Sequence, residues 1–387
     1  MRSSALEAAL RDATHGRITR AEFLSRAVGL GLSVSAAAML IAACGSGTTG
    51  TAGTGSATPT PLDSTKPDHI TLFNWSDYMD PGVLKAFQSE YGVKVKESYF
   101  EDNDTMLAKV KAGAVGYDVI VPTGWMMLVM MKTGLLRPLD VSLIPNFAGL
   151  MPAYQSPSYD PGSGGKRYSV PYMFGRTGID VRSDKVSGTI TSWNSLWDPI
   201  YKDKIIMLAD GRGALEAALY LIGSDCNCTD MDTLQQAKDK LIEQKPLVRK
   251  YDPVPLRNIL AGNPLTEGWD GDVVRVQREL GTDKAAFVAP VEGFSVWTDA
   301  MAVPATAGSP YWAQMFLNYL LDPKVAAKLS VFTGYQTPVA SAASYITDPV
   351  LKAMRPSDEV MKSGHMYEDL GEFNNVYNQL WAEVKSA

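Results

Sequence analysis

From residue 70 onward one pattern recurs: a short apolar run turns abruptly polar, and residues spaced three and four apart on one helical face follow. Ile70-Thr71-Leu72-Phe73 has strand character and passes into Asn74-Trp75-Ser76-Asp77-Tyr78. Asp80 is a natural helix cap with Pro81 behind it, Leu84, Phe87 and Tyr91 carry the helical spacing, and Gly92 supplies the stop. Val93 and Val95 alternate with Lys94 and Lys96, which predicts a half-exposed strand. Asp104 is expected to open a second helix through Met106, Leu107 and Val110, closed by Gly113. Tyr117-Asp118-Val119-Ile120-Val121-Pro122 reads as a strand buried on both faces, as parallel sheets require, and it ends in Thr123-Gly124-Trp125. This alternation of strands and helices predicts an α/β lobe.

A looser region follows, with Pro145, Pro152, Pro157 and the turn Gly162-Ser163-Gly164-Gly165. Tyr168–Tyr172 and Gly178–Val181 read as two extended segments, where the chain is expected to cross first to a second lobe. There, Ser192–Trp197 suggests a capped short helix and Lys204–Leu208 a buried strand ending at Asp210-Gly211-Arg212-Gly213. Helices are expected from Ala214 to Ile222, Met231 to Gln244 and Gly271 to Leu280. Ala285–Pro290 and Phe294–Pro304 read as strands leading back, with covering helices at Pro310–Leu321 and Pro323–Val331. The sequence shows no internal repeat.

Composition narrows the classes. The 387 residues suffice for two lobes with separate cores. Hydrophobic content of 45% with 20% charged residues is that of a globular chain rather than a disordered one. A net charge of −6 and the lack of a basic block argue against nucleic-acid binding. His15, His69, His365, Cys44, Cys226 and Cys228 form neither a zinc spacing nor a nucleophilic pair, so no metal or cofactor is expected. Cys226-Asn227-Cys228 reads as a loop feature, reduced or closed as a strained local disulfide.

The first residues read as targeting. Arg11, Arg17, Arg20 and Arg26 precede an uncharged run from Ala27 to Ala43 that ends in Leu40-Ile41-Ala42-Ala43-Cys44. Residues 1–43 thus resemble a bacterial lipoprotein signal peptide, with Cys44 as the lipid-bearing mature start; an uncleaved apolar span is the alternative. Residues 44–67 are nearly all Gly, Ser, Thr, Ala and Pro, a composition expected to form a flexible tether. The fold is expected to begin near Asp68.

Candidate chemistry lies at strand ends. Trp75, Asp77 and Tyr78 follow the first strand, Trp297 and Asp299 share a face of an extended segment, and Trp269 and Asp272 stand three apart entering a helix. Asp210 stands alone. An aromatic face beside a carboxylate suits an organic cation. The plain alternative is a strand-end Trp packed under a loop with a solvated acid; Trp381 and Glu383 share the spacing and read as ordinary helix surface.

Asn74-Trp75-Ser76-Asp77-Tyr78, Tyr117–Pro122, Thr191-Ser192-Trp193, Trp297-Thr298-Asp299-Ala300 and Thr333-Gly334-Tyr335-Gln336-Thr337-Pro338 together resemble the bacterial spermidine/putrescine-binding proteins, extracytoplasmic receptors of polyamine ABC importers. The resemblance runs from about Ile70 to the C-terminus. It implies a two-lobed periplasmic-binding-protein fold of type II, with the ligand cleft between lobes. Lobe 1 is expected over 68–175, lobe 2 over 176–298 and the return to lobe 1 over 299–338, with C-terminal helices at 339–387 packing across both. It implies a ligand-binding set of Trp75, Ser76, Asp77, Tyr78, Thr123, Trp125, Asp210, Trp269, Asp272, Trp297, Asp299 and Tyr335. Hinges are expected near Phe174–Ile179 and Phe294–Ala302.

The implied partners are a polyamine and the importer's membrane permease, for a monomer held outside the cytoplasm by a lipid at Cys44. One position departs from the family: where spermidine-preferring members carry Asp-x-x-Glu, Asp210 is followed by Gly213. This favours a short diamine, with Glu216 one turn on as a replacement acid that either reaches the site or does not. Arg212 reads as a surface salt bridge. Two other readings stay open. A same-fold binder of another solute is one. A secreted α/β hydrolase is the other, although no Gly-x-Ser-x-Gly elbow is present.

Overall fold

A computed structural model describes residues 62–113 and 116–387, and the targeting segment with Cys44 lies outside them. Strand β1 (His69–Trp75) is central, with parallel neighbours β2 (Lys94–Phe100) and β3 (Val119–Ile120). Helix α1 (Pro81–Tyr91) joins β1 to β2, and Asp80 caps it by accepting from the Gly82 N–H at 2.6 Å. Its buried face is Val83 and Phe87. Helix α2 (Asn103–Lys111) begins slightly earlier than expected because Asp102, not Asp104, is the cap, accepting from the Thr105 N–H at 2.7 Å. Helix α3 (Gly124–Lys132) was not foreseen; its GWMMLVMMK sequence is apolar on nearly every side and lacks the periodicity that marks a surface helix.

Strand β4 (Ser169–Val181) joins the two extended segments into one thirteen-residue strand, buried throughout. A register shift between Pro171 and Met173 accommodates the proline, which has no N–H for the ladder. In the middle of β4 lies buried Arg176, a poor strand signal locally. Its Nε donates to Asp270 at 2.9 Å and its guanidinium stacks 4.8 Å from the Phe287 ring.

Beyond it come β5 (Ile205–Leu208), α4 (Gly211–Leu221), α5 (Met231–Gln244) and β6 (Val248–Asp252). Then follow β7 (Leu265–Trp269), α6 (Asp270–Leu280), β8 (Ala286–Val288) and β9 (Ser295–Ala302). Strands β6 and β7 were missed because both look polar. In β7 the fully buried Glu267 accepts through Oε2 from the Leu208 N–H of β5 at 3.0 Å, and burial raises its pKa well above the usual carboxyl value. Helices α7 (Pro310–Leu320) and α8 (Pro323–Thr333), the short strand β10 (His365–Met366) and α9 (Phe373–Ser386) complete the chain.

The sheet runs β2-β1-β3-β9-β4-β7-β5-β6, with β10 on β9 and β8 on β4. Each half has the same plan. In the first, β1 is parallel to β2 and β3, then β9 lies antiparallel to β3 and β4 to β9. In the second, β5 is parallel to β6 and β7, then β4 lies antiparallel to β7 and β8 to β4. A repeat invisible in the sequence is thus present in the topology. Separate cores accompany the halves: Ile70, Phe87 and Phe316 belong to one, and Trp193, Leu219 and Leu380 to another.

Two expectations need correction. Residues 64–66 of the presumed tether are exposed but held against the fold: Trp312 Nε1 donates to the Ser64 and Thr65 carbonyls at 3.1 Å, and Lys66 lies over the Trp312 ring. The C-terminal region also contains a strand, not helices alone. It touches both halves: α9 packs into the second core, while Lys132 pairs with Asp369 at 2.6 Å and Asn378 donates to Asp104 at 2.9 Å.

Gly334 ends α8 at φ 86°, and a β-carbon there would overlap the Gly271 carbonyl. Gly334→Ala should therefore lower stability by about 1–3 kcal/mol, measured by urea unfolding of the purified protein. An unchanged midpoint would show that this turn relaxes freely.

Candidate functional site

The carboxyl ends of the parallel strands of both halves face one cleft of about 610 Å³. This is where open α/β sheets place ligands. The loop after β1 contributes Trp75, Ser76, Asp77 and Tyr78, and the segment after β3 contributes Thr123 and Trp125. Asp210 follows β5, Trp269 and Asp272 stand at the β7–α6 junction, Trp297 and Asp299 lie on β9, and Tyr335 follows α8. All twelve residues singled out from the sequence line this one cleft.

The side chains are held from behind. Trp75 Nε1 donates to the Val121 carbonyl at 2.9 Å, which fixes the ring against Phe100. Tyr78 Oη donates to Asp299 at 2.9 Å, and Tyr335 Oη donates to Asp272 at 3.0 Å. The two tyrosine rings meet edge-to-face at 5.8 Å, and Trp297 stands edge-to-face on Tyr335 at 5.0 Å. The result is a continuous aromatic wall with a buried carboxyl at either end. Thr123 is tied to Asn103 through its N–H and hydroxyl, both at 3.1 Å.

Burial raises the pKa of both end carboxyls to about 6. For Asp272, Arg275 and the Tyr335 hydroxyl pull it back; for Asp299, hydrogen bonds from Thr123 and Tyr78 do so. Burial also raises Asp210, whose Oδ1 is occupied in capping α4 through the Gly213 N–H at 2.8 Å. Asp77 differs from these three: it is exposed on the rim and holds φ 56°, a left-handed conformation that Asp tolerates.

Other residues of the cleft had no local signal. Asn103, Asp104, Pro255, Arg275, Tyr367 and Lys385 line it too, drawn from loops and helices whose sequences look like ordinary surface. Glu216 does not reach. It is fully buried beneath Tyr367, whose hydroxyl donates to it, and burial pushes its pKa up to about 8. Among the described residues Arg212 forms no salt bridge; it is buried at the cleft wall beside aromatic rings and donates to neutral oxygens. Cys226 and Cys228 are free thiols, and burial raises Cys226 to about 12.

Comparison with known proteins agrees with this geometry. Residues 82–354 match the family model described as bacterial extracellular solute-binding protein. The chain belongs to that family. The spermidine/putrescine-binding periplasmic protein of Salmonella typhimurium is 33% identical over 330 residues, covering 82% of this chain and 92% of the relative. The putrescine-binding periplasmic protein PotF of Escherichia coli is 28% identical over 338 residues, covering 81% and 90%. Among solved structures, the spermidine/putrescine substrate-binding protein PotD of Streptococcus pneumoniae superposes with a TM-score of 0.69 at 28% identity, covering 83% of this chain and 99% of that one. The TpPotD lipoprotein of Treponema pallidum gives 0.72 at 26%, covering 82% and 99%. The fold of this solute-binding protein is the type II periplasmic-binding-protein fold.

The tyrosine hydroxyls stabilise the ionised carboxylates they donate to. Tyr335→Phe should therefore move the Asp272 titration above its value of about 6, and Tyr78→Phe should do the same for Asp299. Carboxyl-carbon NMR titration of the ligand-free protein reads both; a downward or absent shift would remove the tyrosines from this role.

Proposed function

We propose that the cleft binds a linear polyamine, putrescine or spermidine, and that the protein delivers it unaltered to the membrane permease of an ABC importer. The observation that carries this is the aromatic wall of Tyr78, Tyr335 and Trp297 with Asp299 and Asp272 at its ends. A diamine presents the complementary shape: a charged group at each end of a methylene chain. Burying an ammonium is costly unless a carboxylate meets it, and here two carboxyls are already buried, with no ion pair to either among the described residues. Each charge-assisted hydrogen bond contributes about 1.5–3 kcal/mol and each desolvated cation–π contact about 2 kcal/mol. The names of the relatives point to the same ligand class.

A thermal-shift panel of putrescine, cadaverine, spermidine, spermine and agmatine tests the reading, with mass spectrometry of the recovered ligand to detect turnover. No shift with any of them would refute it, and a chemically altered ligand would favour the hydrolase reading. Asp272→Asn and Asp299→Asn should each weaken binding about tenfold or more, whereas exposed Asp77→Asn should cost less.

Binding should also depend on pH in a defined direction. Both carboxyls must be ionised to pair with ammonium groups, and each is held near 6 in the ligand-free fold. Affinity should be nearly flat above pH 7 and fall about tenfold per carboxyl by pH 5. The ligand-free fold behaves oppositely. These pKa values lie above the unfolded ones, so their contribution to stability is present at low pH and is lost as pH rises through 6. Calorimetry at pH 5, 6, 7 and 8 measures the slope; a pH-independent affinity would place the ammonium groups elsewhere.

The same reading takes Cys44 as a lipid anchor that holds a monomer at the outer face of the membrane. The basic region, apolar run and small residues before Cys44 support it. Cys44→Ala should release the protein from the membrane fraction with unchanged polyamine affinity, as read by fractionation and titration. Continued membrane association would support an uncleaved span instead.

A further inference from the structure

Helix α6 carries two arginines after Asp272, and their surroundings differ. Arg278 is answered: it pairs with Asp348 at 2.5 Å and donates to the Val331 carbonyl. Arg275 lines the cleft half-buried, and among the described residues no carboxylate pairs with its guanidinium and no oxygen accepts from it. Asp270, in the same first turn as Asp272, is spent on Arg176 at 2.9 Å. The stem of Arg275 lies against the turn after α8, where a β-carbon at Gly334 would come 3.3 Å from its Cγ. Tyr335 leaves that same turn and donates to Asp272 at 3.0 Å. Positions 272 and 275 stand three apart on one helix, so their side chains share a face. Burial raises the Asp272 pKa, and the charge of Arg275 is the first of the influences that pull it back.

This corner of the cleft thus presents a carboxyl and a guanidinium that are neighbours without being an ion pair. A plain ammonium at Asp272 shares the corner with a like charge, which weakens its net attraction. An ammonium with a carboxylate on the adjacent carbon does not meet that cost. Its ammonium pairs with Asp272, and its carboxylate accepts from the planar fork of Arg275, a geometry that guanidinium suits better than any other side chain. Such an end group is that of an α-amino acid. The rest of the wall would read the rest of the ligand as it reads a diamine, with aromatic faces along the methylene chain and Asp299 at the second ammonium. Ornithine has all of these parts. It is putrescine with a carboxylate on one terminal carbon, and lysine bears the same relation to cadaverine.

We propose that Asp272 and Arg275 form a site for a zwitterionic end group, and that the cleft therefore takes basic α-amino acids, ornithine above all, besides diamines. The inference rests on the polyamine reading for the aromatic wall and Asp299, and adds a second ligand class to it. Charge balance along this wall agrees. Asp272, Asp299 and Arg275 together carry one net negative charge when ionised, which a basic amino acid neutralises and a diamine exceeds. Arg275 acts on the substituent beside the first amine, not on the capture of the second.

Calorimetry of putrescine, spermidine and ornithine at neutral pH on the wild type, R275A and R275Q tests this. The wild type should bind ornithine within about tenfold of putrescine, and a wider gap in favour of putrescine overturns the proposal without any variant having to fold. In both variants the affinity for ornithine relative to putrescine should fall about tenfold or more, because the carboxylate loses its partner while the ammonium loses a like-charged neighbour. Lysine measured against cadaverine should shift in the same direction. A ratio within about twofold of wild type in folded R275A and R275Q also overturns the proposal. If the wild type binds neither putrescine nor spermidine, the polyamine reading itself fails; if it binds them and rejects ornithine, only the zwitterion site fails.

Discussion

The antiparallel pairing of β4 with β9, from Ser169↔Ala302 to Arg176↔Val296, is the constraint on which the remaining architecture depends. Each half-sheet closes on these strands, and the register between them sets where Trp297 and Asp299 stand relative to Thr177 and Trp269. Because β4 belongs to both halves, a one-residue slip would turn its side chains to the opposite faces of both sheets at once. The buried Arg176–Asp270 pair reinforces the register from the side, since breaking one partner of a buried ion pair leaves an uncompensated charge.

Electrostatics gives the cleft its character. Asp272 and Asp299 are buried, and that burial raises their pKa, only partly offset by Arg275 and the Tyr335 hydroxyl at one and by Thr123 and Tyr78 at the other. A ligand that brings positive charge relieves this cost, so affinity and closure draw on the same term. At the α4 end a guanidinium and several carboxyls lie together. Arg212 donates to neutral oxygens among aromatic faces and acts on nearby Asp210 and Glu216, while burial raises Glu216 to about 8.

Much of the site was legible in the sequence because parallel strands announce themselves. Their apolar runs end abruptly, and the residues after each end must face the sheet's carboxyl edge. Trp75, Asp77, Tyr78, Thr123 and Asp210 were found in this way, and Trp297 with Asp299 from alternation along β9. The strands β6 and β7 and the helix α3 escaped because their local patterns contradict their states. Glu267 sits in the middle of a strand, where the Leu208 N–H meets one of its oxygens, and α3 is apolar nearly all round because it lies against a core of its own.

By itself the sequence determined the α/β class, the first strand–helix–strand unit, the cap at Asp80 and the acids and aromatics at strand ends, all of which follow from local periodicity and capping. Only the tertiary structure decided the two-fold repetition of the sheet plan, the pairing of Tyr78 with Asp299 and Tyr335 with Asp272, and the enclosure of Arg212. These unite residues 221, 63 and 156 positions apart in the chain. No local pattern encodes such separations, because they are set by which buried groups must find partners once the cores have closed.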